Sequence, residues 1–515
     1  MQAEAGQTLS LWHATSKVPE FSALDRNTTA DTCVVGAGIA GLTAAYMLAR
    51  AGQRVVVLDD GRIGSGETGR STAHITAALD DRYWRIESMH GPEGARFAAA
   101  SHTAAINRAE AITHQEGIDC DFARVDGYLF AAATTPPAEH RSNLEKELEA
   151  AHHAGLSDLR LVERAPLDFW HSGLALHFPQ QAQFHPLKFL SGLARCIERD
   201  GGAIHCGTHV ESVEGGTTTR VKTRNGSIVT ANATLVCTNA SISDYVVTHA
   251  KQAPYRTFVI AGSVPRDSIP YGLYWDDADP YHYVRVHPSE NHAFDFLIVG
   301  GEDHKTAHED DAANRFAALE AWTRPRFPMA ESFEYRWSGQ VLEPFDYLSF
   351  TGPTPAGDEN VYLHSGDSGN GITHGIIAGV LLTDHVLGRE NPWASLYDPK
   401  RVSLKSAPEF IKQNFDVAVQ FKDYVTSGDA EDANAIPRGE GRILVRNGKR
   451  VAAYRDAAGV LHERSAVCTH LKCVVHWNSL EKSWDCPCHG SRFDPYGAVL
   501  NGPAISELEP LEDES

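Results

Sequence analysis

The residues that most constrain the fold of this chain lie between positions 31 and 60. They read DTCVVGAGIAGLTAAYMLARAGQRVVVLDD, which is a β-branched run, a glycine turn, a stretch rich in Ala and Leu, and a second β-branched run. This order predicts a strand, a helix and a strand in one βαβ unit. Such a unit indicates an α/β domain with a nucleotide-type ligand at the turn.

The glycine turn has the spacing Gly36-x-Gly38-x-x-Gly41. Glycines here let the chain turn tightly, let a pyrophosphate approach the N-terminus of the helix, and let the helix pack closely on the strand. Asp59 ends the second strand and would accept the ribose hydroxyls, with Asp60 as the alternative. Because NAD and FAD use the same fingerprint, the turn alone leaves the choice between them open.

Further along the chain, other segments predict two more kinds of structure. Residues 185–214 predict a helix followed by a strand, and residues 359–388 predict a strand, a glycine turn and a helix. Four aromatic and β-branched runs between 255 and 303 predict an antiparallel sheet. The polar and acidic stretch 405–437, which begins with one predicted helix, indicates a connector to a small β-domain of short strands.

Cysteines and histidines cluster near the end of the chain. Cys468-x-His470 and Cys486-x-x-His489 each offer one thiolate and one imidazole. A structural zinc site is one interpretation, because two Cys and two His are a common zinc ligand set. Zinc fingers usually pair Cys with Cys and His with His, whereas a mixed pair on each loop favours a two-iron cluster whose irons take different ligand types.

This stretch resembles the Rieske [2Fe-2S] proteins, specifically the disulfide-bearing type of cytochrome bc complexes. Gly502-Pro503-Ala504 is similar to the proline loop over the cluster of that family. The resemblance covers about 75 residues and implies a [2Fe-2S] cluster, with a disulfide between Cys473 and Cys488 that ties the two ligand loops together. It assigns the metal ligands as Cys468, His470, Cys486 and His489.

The first part of the chain resembles the D-amino-acid-oxidase-like superfamily of FAD enzymes, which includes glycine, sarcosine and glutamylputrescine oxidases. The resemblance rests on 59–79, on Arg336-Trp-Ser-Gly-Gln340 and on Gly369-Asn-Gly-Ile-Thr373, and it spans nearly all of 28–395. It implies FAD, with the adenine near Val210 and the N-terminus of the last helix pointing at the flavin pyrimidine. Together with the turn it assigns the cofactor contacts as Gly36, Gly38, Ile39, Ala40, Gly41, Asp59, Asp60, Arg70, Ser71, His74, Val210, Gly371, Ile372 and Thr373.

One branch of that superfamily joins a histidine covalently to the flavin, in a Ser-Thr-x-His setting similar to that of His74. An alternative alignment on the preceding Ser-Gly places Arg70 at this position instead. We therefore expect His74 near the flavin, in a hydrogen bond or packing contact rather than a covalent bond.

The substrate region is less clearly marked. Family members that oxidise amino acids usually carry a cation for the substrate carboxylate, but WSGQVLEPFD around Trp337 contains no arginine or lysine. Strand alternation places Tyr281, Tyr283 and Arg285 on one face. We take these three residues and His304 as candidate catalytic residues.

Charge and hydropathy exclude some partners and locations. The chain has 46 basic and 67 acidic residues, a formal charge of -21, which argues against nucleic acid or anionic membranes as partners. The N-terminus lacks the features of a signal peptide, and no run of about 18 apolar residues occurs. We therefore predict a cytoplasmic protein without a transmembrane segment. The five scattered cysteines are predicted to be buried apolar residues.

The predicted fold is an α/β FAD-binding domain, Rossmann-like and of the glutathione-reductase type, with an antiparallel-sheet substrate subdomain, followed by a small all-β Rieske domain. The predicted boundaries are 1–404 for the FAD domain (substrate subdomain roughly 80–185 and 250–335), 405–437 for the linker and 438–515 for the Rieske domain.

The arrangement resembles a bacterial group of FAD-dependent oxidoreductases with a C-terminal Rieske domain. It predicts a dehydrogenase of a small amine or amino acid that passes electrons from flavin to the cluster and on to a quinone or redox protein. One alternative is a flavin oxidase that uses O₂ and has a structural cluster. Another is an electron-transfer or redox-sensing protein.

Overall fold

The predicted βαβ unit is present in the computed structural model, which describes residues 5–243, 247–402, 404–420, 428, 429 and 432–511. Its strands lie parallel, with Val34 opposite Val57. The residues of the second strand are all buried, as expected for a strand covered on both faces.

In chain order the α-helices are α1 (Leu11–Thr15), α2 (Ile39–Arg50), α3 (Tyr83–Glu116), α4 (Pro137–His153), α5 (Pro186–Arg199), α6 (Ala312–Thr323), α7 (Gly371–Val386), α8 (Ala394–Tyr397) and α9 (Ala407–Gln420). The strands are β1 (Thr28–Val35), β2 (Val55–Leu58), β3 (His74–Ile75), β4 (Ala123–Phe130), β5 (Arg160–Val162), β6 (Ala175–Gln183), β7 (Ala203–His205), β8 (Val210–Glu214), β9 (Thr219–Thr223), β10 (Ile228–Val236), β11 (Gln252–Pro265), β12 (Leu273–Asp276), β13 (Tyr283–Pro288), β14 (Phe294–Lys305), β15 (Tyr335–Pro344), β16 (Phe350–Pro353), β17 (Val361–Ser365), β18 (Glu440–Arg446), β19 (Lys449–Arg455), β20 (Leu461–Ser465), β21 (His476–Asn478), β22 (Ser483–Asp485), β23 (Arg492–Phe493) and β24 (Val499–Asn501).

The first sheet has the order β16-β17-β10-β1-β2-β7, with β9 and β8 attached beyond β10. Strands β17, β10, β1, β2 and β7 pair in parallel, and β16 is antiparallel to β17. Helix α2 packs against α5 and α7. The carboxyl ends of β1 and β17 therefore lead into the turns before α2 and α7, which is where an open α/β sheet binds its ligand.

The second sheet confirms the predicted antiparallel sheet. Its order is β15-β11-β14-β13-β12-β4-β6-β3, with β5 beside β6. All of its pairs are antiparallel except β12 with β4. Helix α6 packs on β11 and β14.

The C-terminal domain is all-β, as predicted, and consists of the sheets β18-β19-β20 and β21-β22-β23-β24. Trp477, Trp484 and Phe493 are buried together in its core. Helix α9 starts the predicted linker, of which 421–427, 430 and 431 lie outside the described residues. The exact domain boundaries stay predictions. Among the helices in the described part of the chain, none is long and apolar enough to cross a membrane.

Buried ion pairs join the C-terminal domain to the rest of the protein. Arg70 Nη1 lies 3.0 Å from Glu481 Oε1, with the two side chains 4% and 0% exposed. Arg256 Nη2 lies 3.4 Å from Asp485 Oδ2, and Arg492 contacts the same carboxylate from within the domain. Burial raises the pKa of Glu481, but the guanidinium groups of Arg70, Arg256 and Arg492 lower it to about 2. Glu481 is therefore ionised, and this charge network is the main polar contact of the interface.

Replacing Glu481 with glutamine keeps the shape of the side chain but leaves Arg70 without its counter-charge. Removal of one partner from a buried pair costs about 3–5 kcal/mol, so we expect the Glu481→Gln variant to unfold at clearly lower urea concentration. The exposed pair of Arg141 and Glu145 gives a matched control, because Glu145→Gln should change the stability by about 1 kcal/mol or less. Equal urea midpoints for the two variants would contradict the role of the network.

Candidate active site and iron-sulfur centre

The glycine turn has the geometry of a nucleotide-binding turn. Gly36 adopts φ +109°, and a Cβ there would lie 2.3 Å from the carbonyl oxygen of Cys237. A Cβ on Gly41 would lie 1.9 Å from the Gly36 carbonyl oxygen, so this glycine permits the close packing of α2 on β1. Gly38 is the N-cap of α2 and provides no capping side chain. The positive end of α2 is thus open to an anionic group.

A cavity extends from this turn to the second sheet. It is lined by most of the residues predicted to contact FAD, namely Gly36, Gly38, Ile39, Ala40, Asp59, Asp60, Arg70, Ser71, His74, Val210, Gly371 and Ile372. Gly41 and Thr373 do not line it. Gly41 packs α2 on β1, and the Thr373 hydroxyl accepts the backbone N–H of Thr76.

The two acidic residues after β2 have different partners. Asp59 accepts the backbone N–H of Ala37 at 2.6 Å and that of Gly61 at 2.8 Å. Burial raises the pKa of Asp59 to about 6. Asp60 Oδ2 lies 2.8 Å from His209 Nδ1. Asp59 therefore remains the better placed of the two to accept ribose hydroxyls beside the turn.

Arg70 has a role that the sequence did not indicate. Although the residue lines the cavity, its guanidinium donates to Thr8, to the Ser338 carbonyl and to Glu481. The partners of its charge are therefore at the domain interface. The sequence distance of 411 residues between Arg70 and Glu481 hides this pairing.

The turn before α7 also meets the cavity. Gly369 adopts φ +70°, and a Cβ there would lie 1.8 Å from Asp80 Oδ2, so this position accepts only glycine. The backbone N–H of Asp80 donates to Asn370 Oδ1, which fixes the turn against the segment that follows β3. The positive end of α7 is directed at the cavity, where it would stabilise negative charge on a ligand.

His74 lies in the cavity wall between the turn and the second sheet. Its Nδ1 is 2.9 Å from Thr72 Oγ1, and its Nε2 is buried with no hydrogen-bond partner among the described residues. Burial and the nearby Arg285 guanidinium lower the pKa of His74 to about 3. The imidazole is therefore neutral and offers one nitrogen for contact with a bound group.

Tyr281 and Tyr283, two of the predicted catalytic residues, line the cavity from the side of the second sheet. Tyr281 donates its hydroxyl to Asp80 Oδ2 at 2.5 Å. The hydroxyl of Tyr283 lies 2.6 Å from Thr257 Oγ1. These two hydrogen bonds fix both rings beside Trp275.

The other two candidate catalytic residues, Arg285 and His304, do not line the cavity. Arg285 is fully buried, and its guanidinium donates to the carbonyl groups of Thr72, Ala73 and Phe184. His304 stacks on Phe258, with ring centroids 5.5 Å apart. Arg285 therefore supports the loop before His74.

Asp303, which the sequence did not mark, is in the cavity instead of its neighbour His304. Its Oδ1 is buried and has no hydrogen-bond partner among the described residues. Burial raises the pKa of Asp303 to about 7, with Asp80 adding to the effect and the Thr257 hydroxyl opposing it. Alternation along β14 could have found this residue, because adjacent strand positions face opposite sides.

The four predicted cluster ligands lie together in the C-terminal domain. They are buried, with 0% of Cys468, 2% of His470, 1% of Cys486 and 7% of His489 exposed. The two imidazole rings are perpendicular, with centroids 5.1 Å apart. His489 Nδ1 has no hydrogen-bond partner among the described residues. Two thiols and two imidazoles from two loops fit the ligand set of a Rieske cluster.

The predicted disulfide between Cys473 and Cys488 is confirmed. It joins the loop that begins at Cys468 to the loop that begins at Cys486. The remaining cysteines of the first 240 residues are buried and free, as predicted: Cys33, Cys120, Cys196, Cys206 and Cys237.

The flavin-side domain covers the two histidine ligands. The ring of His249 lies 5.3 Å from that of His470 and 6.4 Å from that of His489, between centroids. Gln340 Nε2 donates to the Gly490 carbonyl at 3.0 Å. Nothing in the sequence around His249 indicates this contact.

The loop that resembles the Rieske proline loop links the two sites. The backbone N–H of Ala504 donates to Ser491 Oγ in the second ligand loop. Gly502, Ala504 and Ile505 also line the cavity that holds the glycine turn. The Ile505 carbonyl lies 3.0 Å from His209 Nε2. One short segment therefore contacts both the cluster loops and the cavity.

Comparison with known proteins agrees with this division. Residues 31–385 match the family described as FAD dependent oxidoreductase, and residues 429–512 match the Rieske [2Fe-2S] domain. The putative Rieske 2Fe-2S iron-sulfur protein YhfW of Bacillus subtilis is 31% identical over 97% of this chain and 97% of that protein.

A further relative and a solved structure each cover a little under three quarters of this chain. Gamma-glutamylputrescine oxidoreductase of Escherichia coli is 29% identical over 72% of this chain and 87% of that protein. The crystal structure of glycine oxidase from Geobacillus kaustophilus superposes with a TM-score of 0.60 at 18% identity, over 73% of this chain and 100% of that one. At this identity the superposition shows a shared fold.

Because the disulfide ties the two ligand loops together, its loss should loosen the cluster more than the flavin site. We expect the double variant Cys473→Ser, Cys488→Ser to retain FAD and to contain fewer than the two irons and two sulfides of a [2Fe-2S] cluster. Iron, acid-labile sulfide and flavin are assayed on the same sample. Cys196→Ser, at a free buried cysteine, is the control and should keep full iron. Full iron and sulfide in the double variant would contradict the expectation.

Acid precipitation tests the contact of His74. We expect all FAD in the supernatant, because a neutral imidazole with one unpartnered nitrogen satisfies a hydrogen bond without a covalent link. His74→Phe should then weaken FAD retention during dialysis, since it removes that nitrogen while the cavity wall stays filled. Yellow colour in the precipitated protein would show a covalent bond instead.

Proposed function

This chain belongs to the FAD dependent oxidoreductase family and ends in a Rieske [2Fe-2S] domain, and on that basis we propose that it is a dehydrogenase of a small amine or amino acid. In this proposal electrons pass from FAD to the cluster within one chain and then to an external acceptor. When bound, FAD supplies a two-electron acceptor for a hydride, and the cluster supplies a one-electron carrier.

The observation that carries this proposal is the shared wall between the two sites. Residues 499–502, 504 and 505 of the Rieske domain line the same cavity as Gly36 and Gly38. The histidine ligands face His249 of the flavin-side domain. A cluster with only a structural role does not need the Rieske domain to line the FAD cavity. Electron transfer from FAD to the cluster needs a short path, which this shared wall would provide.

We assign the binding roles from the cavity. Gly36, Gly38 and the N-terminus of α2 hold the pyrophosphate, Asp59 holds the ribose, and the N-terminus of α7 faces the flavin ring. Cys468, His470, Cys486 and His489 hold the two irons.

Tyr281 and Tyr283 form the substrate side of the cavity. Their hydroxyl groups are bound to Asp80 and Thr257, so the rings hold one orientation and fill the space against water. The E. coli relative is named for a substituted putrescine and the structural neighbour for glycine. These names support oxidation at a carbon bonded to nitrogen.

The external acceptor is a quinone or a redox protein in this proposal. His470 and His489 are 2% and 7% exposed, so the acceptor does not reach these imidazole edges while the domains stay together. It therefore takes electrons through another side of the Rieske domain.

Light-driven reduction of the flavin tests the proposal without a known substrate. The holoprotein is illuminated anaerobically with a sacrificial donor, and the reduced cluster is followed by electron paramagnetic resonance. We expect the cluster signal to appear without a mediator, at a rate that does not change on tenfold dilution of the protein, because the transfer is intramolecular. A cluster that stays oxidised beside reduced flavin would contradict the proposal.

Air tests the alternative of a flavin oxidase. If air is admitted once the flavin is reduced, an oxidase returns its electrons to O₂ as stoichiometric peroxide before the cluster is reduced. The Glu481→Gln variant tests the electron path between the two sites, since the ion pair of Arg70 and Glu481 that it breaks holds the two domains together. Slower appearance of the cluster signal in this variant is the expected result.

A further inference from the structure

The substrate side of the cavity is acidic. Asp303 contributes a carboxylate oxygen, Oδ1, that is buried and has no hydrogen-bond partner among the described residues. A buried carboxylate oxygen without a donor is costly unless a ligand supplies one. This atom therefore indicates a hydrogen-bond donor on the ligand.

Other carboxylates lie around the same wall. Asp80 lines the cavity and is bound to the Tyr281 hydroxyl. Behind it, Ser368 Oγ lies 2.8 Å from Asp81 Oδ2 and 2.9 Å from Glu343 Oε2. The negative charge of Asp80 helps to raise the pKa of Asp303, and a cation bound beside the two carboxylates would relieve this repulsion.

No cation in the described cavity wall is available to offset this charge. Arg70 is the one arginine or lysine among the described lining residues, and its guanidinium is bound to Glu481 and Thr8. Arg82, near Asp80, donates to the carbonyl groups of Leu79 and Asp80. A substrate carboxylate would therefore meet carboxylates here and no free guanidinium.

Aromatic faces complete the site. Trp275, Tyr281 and Tyr283 line the cavity beside Asp303, and the two tyrosine rings lie 5.5 Å apart. Aromatic faces attract organic ammonium groups, and carboxylates accept their hydrogen bonds. The combination fits a cationic amine.

We propose that Asp303, with Asp80 and the aromatic faces of Trp275, Tyr281 and Tyr283, binds the ammonium group of an amine whose α-carbon carries no carboxylate. This inference rests on the proposed function, and it narrows the substrate class from amines and amino acids to cationic amines. Asp303 contacts the ammonium, and Tyr281 is a positioning residue that orients Asp80.

Binding of amines to the fully reduced holoprotein tests this inference separately from the proposed dehydrogenase activity, because no amine is oxidised in that state. Isothermal titration calorimetry under anaerobic conditions compares three pairs that differ by one α-carboxylate: butylamine with norvaline, 1,4-diaminobutane with ornithine, and agmatine with arginine. We expect at least one amine to bind, and to bind about tenfold or more tightly than its carboxylated partner, as one charged hydrogen bond implies. Absence of binding by all three amines, or equal affinity within the pairs, would overturn the inference.

The Asp303→Asn variant identifies the residue responsible. Loss of the charge should weaken binding of the preferred amine by about ten- to a hundredfold, while the FAD content stays unchanged. Asp168→Asn is the matched control, since the Asp168 side chain is 93% exposed and pairs with Arg164 at the surface. Unchanged amine affinity in Asp303→Asn would overturn the assignment.

The comparison of each amine with its carboxylated partner uses the unaltered protein, so it does not depend on how the variant folds. Neither this comparison nor the affinity of the variant depends on whether the cluster accepts electrons.

Discussion

The arrangement of the two redox sites depends on the buried charges between the domains. Glu481 and Asp485 enter from the Rieske domain and meet Arg70 and Arg256 of the flavin-side domain. Buried charges are tolerated only when they are paired and hydrogen-bonded, and here Thr8 and Ser338 add hydrogen bonds to Glu481. Because separation of the domains would break these ion pairs and their hydrogen bonds together, the network favours one relative position. That position is the one in which the histidine ligands face His249.

The N-terminal segment takes part in the same contact. Thr8 binds both Arg70 and Glu481, and the carbonyl of Ala5 accepts a hydrogen bond from Arg492. Ser10 caps α1 and donates to the Gly69 carbonyl, so the segment is also tied to the loop beside the cavity. The first residues of the described chain therefore act as a third partner that connects the cofactor loop to the Rieske domain.

Local patterns predict both cofactor sites, because each depends on residues close in sequence. The glycine turn, Asp59 and the four predicted cluster ligands are set by spacing within one βαβ unit or two loops. The structure places Gly36, Gly38 and Asp59 in the wall of one cavity and buries the two cysteines and two histidines in the C-terminal domain. The ion pair of Arg70 with Glu481 joins residues 411 positions apart, so no local signal marks it. Residues of the substrate wall depend on which face of a strand meets the cavity. The sequence indicated His304, but Asp303, one position away, lines the cavity, since a single step along a strand reverses the face.

The enclosure of the cluster limits how electrons can leave it. A Rieske domain that moved to deliver electrons from its histidine edge would have to expose the charges of Glu481, Asp485, Arg70 and Arg256 in each cycle. Rehydration would offset part of that cost, but the hydrogen bonds from Thr8, Ser338 and Gln340 would be lost together. A fixed cluster avoids this, with its histidine ligands held against His249 of the flavin-side domain. Lys472 precedes the disulfide cysteine Cys473 in the first ligand loop, and its exposed side chain pairs at the surface with Glu509. With the domains together, the first ligand loop therefore reaches the surface at Lys472, whereas the imidazoles of His470 and His489 stay 2% and 7% exposed.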